Sequence, residues 1–205
     1  MTARAPSTRA DAENLQFRGA PSRDRLEEII YRNSFGRGQV TLSSGKSSNF
    51  YFDMKPSMLS PEGAHLIAER IHREASAAGA EFVGGLEMGA VPITGALCQH
   101  SYGTDYPLHG FFVRKKAKDH GAKKLIEGLP KGAALAGKRV VVVEDVTTSG
   151  ESAMTAARAC QAEGATVVMV LSIVDREEGA AEMFAKANLP FKSLFKASTF
   201  LLRTD

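Results

Sequence analysis

The chain has no tryptophan and only two cysteines among its 205 residues, Cys98 and Cys160. Two lone thiols without CxxC spacing exclude a disulfide-rich scaffold and are typical of buried core residues in a reduced, cytosolic protein. No stretch approaches the roughly 20 consecutive apolar residues that a membrane-spanning helix needs. The net charge of +3 is small, and lysine and arginine do not form a continuous basic face. We therefore expect a cytoplasmic protein with no membrane or nucleic-acid partner.

The rest of the composition is that of a soluble globular protein, with 43% apolar and 24% charged residues. A chain of this length fits one domain with a substantial core. Residues 1–20 are polar and contain three arginines but few large apolar side chains, so we expect a flexible tail there. This tail lacks the apolar centre of a secretory signal. We predict one domain over residues 21–205, in which residues 21–58 form a small N-terminal subdomain.

Strand and helix patterns alternate along most of the chain. Strands that alternate with helices of about 10–15 residues are typical of an α/β fold with right-handed crossovers. We therefore predict a central, mostly parallel sheet flanked by helices. The predicted strands are 39–43, 49–55, 81–86, 108–113, 138–143, 166–174 and 191–195, and the predicted helices are 23–32, 60–79, 92–99, 151–163 and 177–187.

The most informative segment begins with four consecutive valines, residues 140–143, followed by Glu144, Asp145 and the loop Thr-Thr-Ser-Gly at residues 147–150. A continuous β-branched run predicts a strand buried on both faces, as in a parallel sheet. Open α/β sheets bind their ligands at the carboxyl ends of such strands. The N–H groups and hydroxyls of residues 147–150 come at the start of the next predicted helix, which makes them a predicted phosphate site.

The two carboxylates beside this loop restrict the ligand. They would repel a bare phosphate, so the ligand should also carry hydroxyl groups or a Mg²⁺ ion. A sugar phosphate with vicinal hydroxyls satisfies both demands. The alternative is that Glu144 and Asp145 only cap the helix that begins near Gly150. We disfavour this alternative because one carboxylate would suffice for capping.

The segment resembles the 5-phosphoribosyl-1-pyrophosphate (PRPP) motif of the type I phosphoribosyltransferases, which consists of an apolar strand, two acids and a Thr/Ser/Gly loop. The resemblance implies the fold of that family, in which residues 21–58 would form a hood over the base. It also implies that the acids bind the ribose hydroxyls and that the loop binds the 5'-phosphate. The PRPP-binding residues implied in this segment are Glu144, Asp145, Val146, Thr147, Thr148, Ser149, Gly150, Glu151 and Ser152.

A dense cluster of positive charge, Arg-Lys-Lys-Ala-Lys-Asp-His-Gly at residues 114–121, follows directly on the predicted strand 108–113. Four fixed cations and a histidine repel one another unless an anion or solvent compensates them. A solvated surface loop is the alternative, but the cluster begins at the same sheet edge as the acid pair. Side chains that close over pyrophosphate would stabilise the charge that develops as it leaves ribose C1, and would exclude water.

The same cluster resembles the flexible catalytic loop of the orotate phosphoribosyltransferases, Arg-Lys-x-Ala-Lys-Asp-His-Gly, with Lys116 at the variable position. The residues that the resemblance implies in contact with PRPP or pyrophosphate are Arg114, Lys115, Lys118 and His120. Lys118 and His120, together with Asp145, are the implied catalytic residues. The resemblance further implies a homodimer, because the loop of that family completes the site of the neighbouring subunit.

Residues 42–53, Leu-Ser-Ser-Gly-Lys-Ser-Ser-Asn-Phe-Tyr-Phe-Asp, resemble the part of that family that surrounds orotate. Orotate is a flat anion that needs a stacking surface, hydrogen-bond donors and a positive charge. Arg176 matches the arginine that binds the orotate carboxylate, a contact for which a guanidinium group is well suited. The alternatives are a buried aromatic strand, an exposed hairpin lysine and a surface salt bridge. The orotate-binding residues implied are Lys46, Phe50, Tyr51, Phe52, Thr148 and Arg176.

A glycine-rich turn at residues 84–92 resembles the pyrophosphate loop of the type I enzymes, with Glu87, Met88 and Gly89 at its centre. Several relatives have lysine where this chain has Met88, and some have lysine where it has Ser43. We therefore expect the backbone N–H groups of this turn, and not a lysine, to contact pyrophosphate.

The four motifs, in the order of the family, imply an orotate phosphoribosyltransferase, which converts orotate and PRPP to orotidine 5'-monophosphate and pyrophosphate in pyrimidine synthesis. Mg²⁺ is the implied cofactor, held mainly by PRPP. One alternative is a type I transferase for a purine or for uracil, which Arg176 and the basic loop disfavour because those bases lack a carboxylate. The other is a non-catalytic regulator that senses PRPP, which should show a basic face for nucleic acid.

Overall fold

The computed structural model describes residues 24–41, 47–116 and 125–203. The helices in this part of the chain are α1 (Arg25–Asn33), α2 (Lys55–Met58), α3 (Pro61–Ala77), α4 (Ala90–Tyr102), α5 (Glu151–Ala162), α6 (Ala180–Lys186) and α7 (Ala197–Leu201). The strands are β1 (Phe35–Thr41), β2 (Ser47–Phe52), β3 (Phe82–Leu86), β4 (His109–Val113), β5 (Ile126–Glu127), β6 (Arg139–Thr147), β7 (Thr166–Asp175) and β8 (Phe191–Lys196). The tail predicted over residues 1–20 lies outside the described residues.

Six strands form one sheet in the order β5-β4-β3-β6-β7-β8, in which β5 at the edge is antiparallel to β4 and the other neighbours are parallel. The valine run explains why β6 lies at the centre. Val141 and Val143 join the apolar cluster on one face of the sheet, whereas Val140 and Val142 join the cluster on the other face. The predicted α/β fold with a mostly parallel sheet is therefore confirmed.

Helices cover both faces of this sheet, because each presents an apolar stripe that must be buried. Ile71 of α3 and Leu97 of α4 belong to the cluster that contains Val143. Ala157 and Cys160 of α5 belong to the cluster on the opposite face. No helix in the described part of the chain is both long enough and apolar enough to cross a membrane.

The segment predicted to form the hood is described over residues 24–41 and 47–58 and consists of α1, the antiparallel hairpin β1–β2 and α2; it is called the hood below. The rings of Phe35 and Phe52 lie 5.2 Å apart, and both contact Phe200 of α7, at centroid distances of 5.9 and 5.3 Å. Arg203, which follows α7, forms an ion pair with Glu28 of α1. The C-terminal segment therefore fastens the hood to the rest of the molecule.

The structure moves several predicted boundaries. β1 and β2 begin earlier than the predicted strands 39–43 and 49–55, and β6 continues beyond residue 143 through the acid pair. α6 begins at Ala180 and not at Glu177, because Glu177 and Gly179 adopt left-handed backbone conformations with φ of 61° and 104°. The short elements α2, β5 and α7 were not predicted, because they are too short to show a hydrophobic period.

We expect Phe200→Ala to lower the free energy of unfolding by about 3–5 kcal/mol, because it removes a buried ring that joins the hood to the core. Chemical denaturation of the two proteins would measure this difference. Leu202→Ala is the matched control, since Leu202 lies two residues away and is 82% exposed; its effect should stay within about 0.5 kcal/mol. A loss of similar size in both variants would contradict the fastening role of α7.

Candidate active site

The parallel register brings four of the predicted motifs to one edge of the sheet. Leu86, the last residue of β3, pairs with Val113 of β4, and Thr147 at the end of β6 pairs with Asp175 at the end of β7. The glycine-rich turn, the start of the basic cluster, the acid pair with its loop, and Arg176 follow these strand ends. They are therefore neighbours in space although they are far apart in sequence.

The phosphate loop and the amino end of α5 form a cavity of about 170 Å³. Gly150 precedes α5 with φ of 88°, a left-handed backbone conformation that strongly favours glycine. Among the described residues no side chain caps α5, and its first N–H groups are therefore available for an anion. The alternative in which the acid pair caps this helix is therefore wrong. The cavity is lined by Glu144, Val146, Thr147, Thr148, Ser149, Gly150, Glu151 and Ser152.

Glu144 and Asp145 lie in different environments. Glu144 is buried, and its Oε2 atom has no hydrogen-bond partner among the described residues. Burial raises the pKa of the Glu144 carboxyl well above its ordinary value, and the neighbouring Asp145 carboxylate raises it further. Asp145 is more exposed and accepts a hydrogen bond from the N–H of Val146 at 2.9 Å. The Oγ1 atom of Thr147 is also buried without a hydrogen-bond partner in this part of the structure. Two buried polar atoms at the cavity are therefore available to form hydrogen bonds with a ligand.

The glycine-rich turn contacts both the acid pair and the base of the basic cluster. A Cβ atom on Gly89 would lie 2.5 Å from Oδ1 of Asp145, so glycine permits the close approach of the turn to this carboxylate. The carboxylate of Glu87 accepts a hydrogen bond from the N–H of Lys115 at 2.9 Å. Met88, where several relatives have lysine, is 65% exposed.

The base of the basic cluster is held by contacts of Arg114. Its N–H donates to the carbonyl of Leu125 at 2.8 Å, and its guanidinium donates to the Lys116 carbonyl and to Glu127, both at 3.1 Å. Arg114 therefore joins the two ends of the loop, a role that was not predicted for it. The remaining predicted loop residues, Lys118 and His120, lie outside the described residues, and so does Lys46 of the base segment.

Arg176 is the centre of the predicted base pocket. Its side chain is buried, and its Cζ atom lies 4.2 Å from the ring centroid of Phe50. Its guanidinium donates to the hydroxyl of Ser48 at 3.0 Å and to the carboxylate of Glu178 at 2.8 Å. The N–H of Arg176 also donates to the carbonyl of Thr147, which fixes the residue beside the phosphate loop. The structure thus brings Phe50 of the hood together with Arg176 of the core.

The other two aromatic residues of this segment lie elsewhere. Because side chains alternate along β2, Tyr51 points away from Phe50 and covers Gly36 on the outer side of the hairpin. Phe52 lies on the inner side, but it packs against Phe35 and Phe200. Of the three aromatic residues predicted to contact orotate, Phe50 is the one whose ring lies against Arg176.

Sequence reasoning missed Ser48 and Glu178, the two hydrogen-bond partners of Arg176. Ser48 lies on the same face of β2 as Phe50, so strand alternation could have indicated it. Glu178 carries no comparable signal, because its contact depends on the left-handed turn at Glu177. Asp175, on the other side of Arg176, stabilises this turn by accepting a hydrogen bond from the N–H of Glu177 at 2.9 Å, and burial raises the pKa of the Asp175 carboxyl.

The sequence pattern of the phosphoribosyl transferase domain matches residues 60–188 of the chain. That match covers strands β3 to β7 of the sheet, the glycine-rich turn, the acid pair, the phosphate loop and Arg176. The fold and the site therefore define a phosphoribosyltransferase of type I.

Similarity along most of the chain shows which family of type I enzymes the chain belongs to. An orotate phosphoribosyltransferase of Bradyrhizobium diazoefficiens is 60% identical over 180 residues, which are 88% of this chain and 96% of the relative. One from Mycobacterium avium is 42% identical over 174 residues, covering 85% and 93%. The Mycobacterium tuberculosis orotate phosphoribosyltransferase, whose crystal structure in complex with PRPP is known, is 35% identical in sequence. The TM-score between the two structures is 0.70, and the match covers 86% of this chain and 97% of that chain. The chain belongs to the orotate phosphoribosyltransferase family.

Glu144→Gln should stabilise the protein at pH 8 and have little effect at pH 5. A carboxyl whose pKa is higher in the folded than in the unfolded state takes up a proton on folding. The wild type therefore loses stability as pH rises from the ordinary glutamate range through the raised pKa, by about 1.4 kcal/mol for each pH unit that separates the two pKa values. The glutamine variant lacks this loss. Chemical denaturation at both pH values would measure it.

The control for this comparison is Glu182→Gln, which removes an exposed carboxyl in the first turn of α6. It should change stability by no more than about 0.5 kcal/mol at either pH. A stabilisation by Glu144→Gln that is equally large at pH 5 and pH 8 would show that burial of the charged form is not its cause.

Proposed function

We propose that the chain binds PRPP and orotate at this sheet edge and transfers the phosphoribosyl group to N1 of orotate, giving orotidine 5'-monophosphate and pyrophosphate in pyrimidine biosynthesis. The observation that carries the proposal is the position of Arg176. A buried guanidinium group lies beside the phosphate loop, to which the N–H of Arg176 is hydrogen-bonded, and this supports contact with the base of a bound nucleotide. Purines and uracil carry no carboxylate for it, which favours orotate over the other type I substrates.

The proposed roles within the PRPP site follow the cavity. The loop of residues 146–152 and the uncapped amino end of α5 bind the 5'-phosphate. Glu144 and Asp145 accept hydrogen bonds from the two ribose hydroxyls. The unpartnered Oε2 atom of Glu144 supports this role, because a ribose hydroxyl would supply the hydrogen bond that the described residues do not.

Mg²⁺ is proposed to be bound mainly by oxygen atoms of PRPP and less by the protein. The described residues contain no group of three histidine, cysteine or carboxylate side chains that could hold a metal ion. Two adjacent carboxylates could supply at most a few of its oxygen ligands, and oxygens of PRPP and water would supply the others. When bound, the ion would neutralise part of the charge of pyrophosphate.

We propose that pyrophosphate departs from ribose C1 in a loose, oxocarbenium-like displacement with inversion from α to β. Orotate N1 is already nucleophilic in the anion, so no strong general base is needed. The backbone of residues 87–89 contacts the leaving pyrophosphate, and Lys115, Lys118 and His120 stabilise its charge. The hydrogen bond between Glu87 and Lys115 supports this arrangement, since it holds the start of the basic loop beside the turn.

The basic loop is proposed to complete the site of a second subunit in a homodimer. The enzyme is further proposed to act in the cytoplasm, in keeping with Cys98 and Cys160, which are both free thiols.

Lys118→Ala should reduce kcat by about 100- to 1000-fold, which is the effect expected when one charge-stabilising group is lost from a transition state. The decrease of orotate absorbance in the presence of PRPP and Mg²⁺ would measure it. Lys116→Ala is the matched control, because Lys116 occupies the variable position of the loop and contacts Arg114 through its backbone carbonyl. Activity that falls equally in both variants would point to a general charge effect. A wild type that binds PRPP but consumes no orotate would instead support the regulator.

The shared site can be tested by mixing two inactive variants, Lys118→Ala and Asp145→Asn. If the loop acts in the neighbouring subunit, a mixed dimer contains one intact site, and random exchange should restore about a quarter of wild-type activity. Each variant alone, refolded in the same way, is the control. No recovery in mixtures that demonstrably contain mixed dimers would mean that the loop acts within its own subunit.

A further inference from the structure

The guanidinium group of Arg176 is held from three sides. Phe50 covers one face of the group, with the ring centroid 4.2 Å from Cζ. The hydroxyl of Ser48 accepts from Nη2 at 3.0 Å, and Oε1 of Glu178 accepts from Nε at 2.8 Å and lies 2.8 Å from Nη2. Such a set of contacts leaves the side chain little rotational freedom.

These contacts use one side of the guanidinium group and leave the other available. Glu178 occupies the edge formed by Nε and Nη2, and Ser48 takes a further hydrogen of Nη2. Ser48 in turn donates its own hydrogen to the carbonyl of Phe50 at 2.9 Å, so its orientation is also fixed. No hydrogen bond from Nη1 is found in the described part of the chain, and this nitrogen is free to donate to an anionic ligand.

The negative charge of Glu178 compensates the buried positive charge of Arg176. The side chain of Arg176 is 2% exposed, and a buried cation without a counter-charge costs several kcal/mol. Glu178 is the described residue that forms an ion pair with it. Its own side chain is 29% exposed, so the pair remains partly hydrated on the Glu178 side.

The backbone conformation at Glu177 places Glu178 against Arg176. Glu177 adopts a left-handed conformation, which turns the chain so that Glu178 folds back on Arg176, two residues before it. The N–H of Glu177 donates to Asp175, and the Glu177 carboxylate accepts from the N–H of Ser198 at the start of α7. Contacts on both sides therefore fix the turn.

We propose that Glu178 is a positioning residue for base recognition: it holds the Arg176 guanidinium so that Nη1 faces the carboxylate of the incoming base. The inference rests on the proposed role of Arg176 in orotate binding. The opposite role, in which Glu178 competes with the substrate carboxylate for Arg176, fits the geometry less well. A residue that competed with the substrate would bind Nη1, the nitrogen that the substrate is proposed to use. Glu178 instead binds the edge formed by Nε and Nη2.

Glu178→Ala should raise the KM for orotate about 10- to 100-fold, the loss expected for a hydrogen bond between charged groups. The kcat at saturating orotate and the KM for PRPP should change less than about twofold, because neither depends on the orientation of Arg176 before the base binds. Glu178→Gln keeps an oxygen that can accept from Nε and should restore most of the lost affinity. Glu182→Ala, an exposed acid four residues later, is the control for a general charge effect.

The possible results separate the alternatives. A lower KM for orotate in Glu178→Ala would show competition and overturn the proposal. An unchanged KM, with only a lower melting temperature, would show a structural role and overturn it as well. If Glu178→Ala fails to fold, Glu178→Met replaces it, because methionine keeps the length of the side chain and lacks the oxygen that accepts from Nε. The proposal then requires Glu178→Met to raise the KM for orotate relative to Glu182→Ala.

Arg176→Met distinguishes failure of this inference from failure of the proposed base site. If Arg176→Met leaves the KM for orotate unchanged, both fall. If it raises this KM strongly while Glu178→Ala has no effect, only the positioning role of Glu178 is wrong.

Discussion

The site depends on the burial of both faces of β6. Because Val140 and Val142 pack toward one set of helices and Val141 and Val143 toward the other, β6 can lie only in the interior of the sheet. Its two neighbours, β3 and β7, run parallel to it, and their carboxyl ends consequently meet at one edge. No polar interaction needs to draw the motifs together. The apolar core places them there, and the polar contacts then set the finer geometry.

At that edge the described residues include three buried ionisable groups, Glu144, Asp175 and Arg176, and the surroundings of Arg176 and Glu144 differ most in charge. Arg176 has its charge compensated by Glu178, a hydroxyl and an aromatic face, so it remains charged and oriented. For Glu144, the effects of burial and of the neighbouring Asp145 carboxylate outweigh the nearby Lys115 charge and the N–H of Asp145, and its pKa rises. This contrast has a physical meaning for binding. Under the proposed function, the guanidinium group is oriented before its ligand binds, whereas the Glu144 carboxyl would gain a hydrogen-bond partner from the ligand.

The sequence predicted the parts of this arrangement that follow from local pattern. The valine run indicated the central strand, and the Thr-Thr-Ser-Gly loop indicated the phosphate cavity. Resemblance added Arg176 and the glycine-rich turn. What could not be predicted depends on contacts between distant segments: the partnership of Ser48 with Arg176 spans 128 residues, and that of Arg114 with Glu127 requires the short antiparallel strand β5. The predicted start of α6 was wrong because residues 177–179, which have a helical sequence pattern, form a left-handed turn.

The two halves of the site have different structural origins. The cavity for the sugar phosphate is built within the core, from β6 and the start of α5. The base pocket spans two units, because Ser48 and Phe50 belong to the hood whereas Arg176 and Glu178 belong to the core. The relative position of hood and core therefore affects the base pocket more than the phosphate cavity. If the proposed base pocket is correct, contacts far from the chemistry, such as those of Phe200 with Phe35 and Phe52, affect its geometry through the position of the hood.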